Sequence, residues 1–367
     1  MRFVEYNTKE LLLIWLDSFN EISYNEKSEL YEILKDEKSI KTALIKRSKD
    51  IPDGLRGKYD KILSSTDNGY LSIILKEMEE FGVVAVTKES EDYPDGLSSV
   101  EDSPLVLYCK GNKDLLKTKK FAIVGSRKSL PLSVAITKRY ADAAAECGFT
   151  LITGIAEGVD GAVLTAAIDG GYPSISVLAG GLDDVYPKIN KDLAEKISQN
   201  GLLISEYPIG TPAHKFHFPI RNRIIAALSD GVLIVSGGKK SGTVYTGEYA
   251  LEYGKDLFAI PYSVGVESGI TPNSFIKRNL AMLTDDPEDL FEFYGVEKKS
   301  VKDVLSNEEL LIVNAIKEDC RHIEKIAEKL NKNVWEITPT VSMLEIKGVI
   351  IKSGVNEYSI LKTVQEN

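Results

Sequence analysis

The stretch FAIVGSRKS, residues 121–129, decides the fold: four apolar residues run into a glycine, two serines and two cations. A short, unbroken apolar run closed by glycine is the pattern of a strand buried on both faces. The same unit recurs downstream in TLITG (150–154), SISVLAG (174–180), LLISEY (202–207), GVLIVSG (231–237) and DLFAIP (256–261). Between these runs lie helical patterns at 133–148, 162–171, 189–201, 220–230 and 246–254. Strands alternating with helices of this length predict an α/β fold: an extended Rossmann-like, doubly wound and mostly parallel sheet. Its ligands would meet the carboxyl ends of the strands.

Working outward, VVAVT (83–87) and PLVLYCKG (104–111) read as two further strands, with YPDGL (93–97) as a turn. The α/β domain is therefore expected over 83–296. Upstream, LLLIWLDSF (11–19), the run 27–48 and NGYLSIILKEMEEFG (68–82) carry apolar residues at three-to-four spacing, so 1–82 reads as a small helical domain. Downstream, the charged stretch 297–304 reads as a linker. Beyond it, helices at 307–319, 322–331 and 338–348 and the ribbon 349–360 give the order of a winged helix over 305–367. Its third helix is expected to start with Thr338 as N-cap and Pro339 at the first helical position. That helix is poor in cations, which favours a partner-binding or regulatory role over groove reading.

The strand ends carry the chemistry. Gly125, Ser126, Arg127, Lys128 and Ser129 form a loop in which backbone can approach an anion, an arginine can fork onto phosphate and two hydroxyls can donate. The second loop holds Gly154, Ala156, Gly158 and Asp160, the third Gly180 and Gly181, and the fifth Lys239, Lys240, Ser241, Gly242 and Thr243. Glycine-rich loops recurring at one sheet edge predict a shared anion pocket, since helix N-termini and amides point the same way. HKFHFPIRNR (214–223) interleaves Lys215, Arg221, Asn222 and Arg223 with Phe216 and Phe218. That pattern suits a single strand, with cations on phosphates and rings on bases. Equally, the rings can be core and the arginines can bridge to acids.

Several classes are excluded. The dinucleotide fingerprint is absent because the second and third glycines are missing. There is no GxSxG or HExxH, so no catalytic chemistry and no cofactor are expected. His214 and His217 lack a third metal ligand, and the three cysteines lack CxxC spacing, so no metal is expected. No apolar run approaches the ~18 residues of a membrane span, and the N-terminus lacks a signal-peptide pattern; a cytoplasmic protein without a membrane partner is expected. The net charge of −10 opposes a nucleic-acid reading unless the site is a local basic pocket.

With these motifs in view, the chain resembles the DprA/Smf family of DNA-processing proteins. The resemblance rests on an ordered series. It runs through Tyr93-Pro94, Ser103-Pro104-Leu105, Gly125-Ser126-Arg127, Gly154-x-Ala156-x-Gly158-Val159-Asp160 and Gly181-Leu182-Asp183 with Tyr186-Pro187. It continues in Ser205-Glu206-Tyr207-Pro208, Phe218-Pro219-x-Arg221-Asn222-Arg223 and Ser241-Gly242-Thr243. The resemblance implies a Rossmann-like core that forms a homodimer, binds single-stranded DNA and helps load a RecA-type recombinase during natural transformation. It also implies SAM-like helices before the core and a winged helix after it. Departures are Glu157, where relatives usually carry arginine, Leu164 in place of a histidine and Ser236 in place of a glutamate. Two other readings stay open: a nucleotide-sensing protein of the same superfamily, and a recombinase-binding scaffold with weakened DNA contact.

Overall fold

In the computed structural model, which describes residues 5–20, 22–35, 42, 46–65, 69–296 and 305–361, the run at 121 becomes strand β3 (Lys120–Val124), buried at every residue. On one side of it lie β4 (Thr150–Thr153), β5 (Ser174–Val177) and β6 (Leu202–Ser205). On the other lie β7 (Gly231–Ile234), β8 (Asp256–Ala259) and the short β9 (Met282–Leu283), and all six run parallel to it. Two antiparallel strands, β1 (Val84–Thr87) and β2 (Val106–Gly111), extend the far edge, with Tyr108 opposite Ser205. The resulting order is β1-β2-β6-β5-β4-β3-β7-β8-β9. Strand order reverses at β3, with β4 to β6 added on one side and β7 to β9 on the other, so the boundary between β3 and β7 is the topological switch point.

Strand alternation sends successive residues of β3 to opposite faces. Phe121 and Ile123 face α6 (Pro131–Glu146), α7 (Val159–Gly170) and α12 (Glu288–Tyr294), where they pack with Tyr140, Val163 and Phe291. Ala122 and Val124 face α9 (His217–Leu228), α10 (Thr243–Glu252) and α11 (Ile270–Lys277), against Ile224, Ala250 and Phe275. Each large apolar side chain so enclosed contributes roughly 1.5–3 kcal/mol. The sheet is thus packed on both faces at the switch point.

Helices α1 (Thr8–Asp17), α2 (Tyr24–Leu34), α3 (Asp53–Ser65) and α4 (Tyr70–Glu80) precede the sheet. Asn7 and Ser23 each form a capping box at the start of α1 and α2. Trp15 and Leu30 share one core with Val106, Tyr108 and, from α8 (Lys191–Asn200), Ile197, so packing is continuous across residue 82. A buried polar tie reinforces it. Lys27 Nζ lies 3.0 Å from Asp17 Oδ1, and the Tyr108 hydroxyl donates to Asp17 Oδ2 at 3.0 Å.

Helices α13 (Asn307–Lys317), α14 (Ile323–Lys329) and α15 (Val334–Ile346) and the antiparallel pair β10 (Ile350–Gly354) and β11 (Glu357–Ile360) build a core of their own around Ile312, Ile326, Ile337 and Leu344. The expected linker 297–304 lies outside the described residues, as does most of 36–45 in the long helical run expected at 27–48.

Four expectations change. YPDGL is a one-turn helix, α5 (Asp95–Ser98), because Pro94 is well placed just before it. Helix α3 was not expected, since Gly54 and Gly57 dilute its propensity. Helix α15 starts at Val334, not Thr338: Asn333 and Glu336 form the capping box, and Pro339 sits inside the helix. Helix α11 and strand β9 follow β8 in a stretch whose pattern is too short to read.

Candidate nucleic-acid interface

The loops after β3 and β7 open a cleft of about 1010 Å³ at the switch point. Arg127, Lys128, Lys215, Arg221, Lys239 and Lys240 line it, against the two carboxylates of Asp160 and Glu267. On a chain of net charge −10, this is the local basic pocket that a polyanion requires. Gly125, Ser126, Ala156, Phe218, Asn222, Ser241, Gly242 and Thr243 complete the predicted part of the lining.

Close packing explains the glycines. A Cβ on Gly125 would stand 2.4 Å from Val159 Cγ2 and 2.9 Å from Ser236 Oγ, so the loop after β3 lies directly on α7 and β7. Ser236 accepts the Ser126 amide at 3.1 Å: the serine that replaces the usual glutamate pins this loop. The Ser126 hydroxyl accepts from the Lys128 amide at 3.2 Å, and Ser129 Oγ donates to the Ser126 carbonyl at 2.6 Å. Both hydroxyls therefore shape the loop, in contrast to the expectation that they face the anion. Gly158, with φ of 77°, supports it from behind, where a Cβ would meet the Ser126 carbonyl oxygen at 2.3 Å.

Arg127 and Lys128 are exposed at the rim, and Arg127 lays its guanidinium 4.7 Å from the Phe218 ring centroid. Stacking of this kind orients a guanidinium while leaving its N–H edge for a ligand. Lys215, Lys239 and Lys240 are exposed as well, and Gly242 and Thr243 place the N-terminus of α10 in the lining. In the β7–α10 loop, Ser241 Oγ and Thr243 Oγ1 lie 2.8 Å apart.

The floor is buried and charged. Arg221 is 5 % exposed and Asp160 8 %. Arg221 donates to the Val177 carbonyl and, through Nε, to Asn222 Oδ1 at 3.1 Å. Asp160 accepts the Ala156 amide at 3.2 Å. Burial raises the Asp160 pKa, opposed by the charges of Arg221 and Arg127; burial lowers that of Arg221, opposed by Asp160. Gly154 lies between the two, since a Cβ there would stand 2.4 Å from Asp160 Oδ2 and 2.6 Å from Arg221 Nη1.

Other predicted residues fall elsewhere. Gly180 packs on Thr211 and Ala213, and Gly181 under Pro208 and Gly210, so the loop after β5 does not reach the cleft. Arg223 points away from it. Its Nη2 lies 2.6 Å from Glu206 Oε2 and its Nε 2.9 Å from Asp102 Oδ2. Burial disfavours the Arg223 charge, yet Glu206 and Asp102 outweigh it and raise the pKa. This is the bridging alternative, realised for one arginine of the pair. Glu157 is exposed and absent from the lining. Leu130, Tyr245 and Val266 line the cleft unforeseen; Leu130 directly follows Ser129 and Tyr245 stands two residues beyond Thr243, whereas Val266 adjoins no recognisable motif.

Comparisons with known proteins place the fold in a family. Residues 84–295 match the family model of DNA recombination-mediator protein A. The chain is 36 % identical over 220 residues to DNA processing protein DprA of Bacillus subtilis, covering 60 % of this chain and 74 % of that protein. It is 38 % identical over 229 residues to DprA of Streptococcus pneumoniae, covering 62 % and 78 %. The X-ray structure of the S. pneumoniae protein superimposes with a TM-score of 0.67 at 29 % identity, over 79 % of this chain and 98 % of that one. A DNA processing protein A from Helicobacter pylori, described for its single-stranded DNA binding mode, gives 0.53 at 30 % identity over 57 % and 94 %. Among the described residues, no helix is long and apolar enough to cross a membrane. The chain belongs to the DNA recombination-mediator protein A family, that of the DprA/Smf DNA-processing proteins.

Proposed function

We propose that the protein binds single-stranded DNA in the switch-point cleft, holding its sugar-phosphate backbone without catalysing a reaction. The observation that carries this reading is the concentration of six cations against two carboxylates in one cleft of an acidic chain. Arg127 and the lysines meet phosphates, Arg221 fixes the floor from beneath, and Phe218, held by Arg127, offers a ring to a base. The relationship to the H. pylori protein supports the ligand. In the cytoplasm of a transformable cell the bound strand would be protected and passed to a RecA-type recombinase by a homodimer.

The flanking units fit accessory roles. Residues 1–82 act as a SAM-like helical domain seated on the edge of the 83–296 core, and 305–367 as a winged helix. On α15, Trp335 and Met343 are exposed beside Glu336 and Glu345, a face suited to a protein partner.

A thermal-shift series tests the proposal. A poly-dT oligonucleotide should raise the melting temperature, and more so at low salt, because only a ligand of the native state stabilises it by mass action. Duplex DNA should do so far less. Stabilisation by a mononucleotide alone would overturn the proposal in favour of a nucleotide sensor.

A further inference from the structure

Beyond the mouth of the cleft lies a group of aromatic rings that the backbone grip does not use. Tyr186 is 51 % exposed and its ring centroid lies 6.0 Å from that of Phe218, the ring stacked by Arg127. Phe216 is 63 % exposed and lies parallel to His214, 5.5 Å away. Lys215, between them in sequence, lines the cleft itself. Single exposed rings are ordinary on a protein surface. Tyr186 against Phe218 and the Phe216–His214 pair flanking Lys215 adjoin the cleft through these two lining residues, and core packing does not account for their exposure.

These rings are also held in place. Phe216 meets the buried His217 edge-on at 4.5 Å, and His217 stacks on Tyr207 at 4.0 Å. His217 Nδ1 in turn lies 3.0 Å from the Ala179 carbonyl oxygen. The exposed pair thus rests on a fixed aromatic stack, which reduces the ordering needed when a planar ligand settles on it.

We propose that Tyr186 and the Phe216–His214 pair form a second, base-stacking subsite that extends the strand path beyond the cleft. It takes the nucleobases next to the one at Phe218. This rests on the cleft reading, because the strand must first be anchored by its phosphates. The occupant is set by chemistry: flat π-faces accept any base, and Lys215 supplies charge for the intervening phosphate.

The test is fluorescence anisotropy with dT oligomers of about 4 and about 16 nucleotides, the range of site sizes over which single-strand sites operate, and with a long abasic strand. The full chain is compared with Tyr186→Ala, Phe216→Ala and Tyr186→Phe. Both alanine variants should weaken the long dT strand roughly tenfold, as expected for one lost stacked base. They should leave the short strand and the abasic strand unchanged, and Tyr186→Phe should behave as the parent. Unchanged binding of the long strand would overturn the subsite alone, as would an equal loss on the short one. A parent protein that binds no strand would overturn the cleft reading and the subsite together.

Discussion

Arg221 and Arg223 stand two residues apart on α9 and serve opposite sides of it. Positions i and i+2 on a helix do not share a face. The Arg221 guanidinium therefore enters the cleft floor beside Asp160, while that of Arg223 is directed to Glu206, just after β6, and to Asp102, between α5 and β2. One motif thus does two jobs: a cation in the floor of the cleft, and a lock that fixes the helix carrying it.

Arg223→Ala should destabilise the protein by about 3–5 kcal/mol, the cost of leaving one member of a buried pair behind. Glu206 is the partner left buried, and burial already raises its pKa. Chemical denaturation reads the loss directly. Arg223→Met combined with Glu206→Leu should lose less than either single change, since no buried lone charge remains and the Asp102 carboxylate left behind is exposed to water.

Gly154→Ala should act on both sides of the Asp160–Arg221 floor. The added methyl has no room, so the two charged groups separate, at a cost of about 1–3 kcal/mol in stability and with weaker strand binding. Urea melts and anisotropy together check this. A variant that folds and binds like the parent would show that the floor is adaptable.

Strands β3 to β8 were legible in the sequence because they are buried and read as apolar runs, four of them closed by glycine, whereas the two exposed residues of β9 carry no such pattern. Loops at Gly125 and Gly242 were legible as cleft walls because they follow β3 and β7. What could not be read was direction. Sequence spacing does not show that the Ser126 and Ser129 hydroxyls turn inward to their own loop, or that Gly180 is covered by Ala213. The two fates of Arg221 and Arg223 depend on where Glu206 and Asp102 come to lie, and those are long-range placements. Pro339 misled because proline is favoured at a helix start, whereas here Asn333 begins the helix earlier.

His217 should make stability depend on pH. Burial lowers its pKa from 6.5, against the Ala179 carbonyl, which favours the charged form. The unfolded chain therefore takes up a proton first, so stability is full above the ordinary histidine value and falls as pH drops through the lower folded value. Denaturation at pH 7.5 and pH 5 should show the decline in the parent, with His217→Gln reducing the part that this ring contributes. An unreduced slope in the variant would assign the decline to other groups.

At the C-terminal unit, Asn333→Ala should cost about 1 kcal/mol through loss of the cap. Thr338→Ala should cost less, because Thr338 Oγ1 only bonds back to the Val334 carbonyl at 2.7 Å within the helix. Thermal melts of the two variants should rank in that order. The reverse order would return the helix start to Thr338.

The central claim is that phosphates are held in the cleft by Arg127 and its neighbouring lysines. Its most direct test is the affinity for a poly-dT oligomer measured across a salt series for the parent and for Arg127→Ala. The parent's affinity should fall steeply with salt; the variant should bind more weakly whatever the base sequence, and its log–log salt slope should be shallower by roughly one phosphate contact. An unchanged affinity and an unchanged slope in Arg127→Ala would contradict the account.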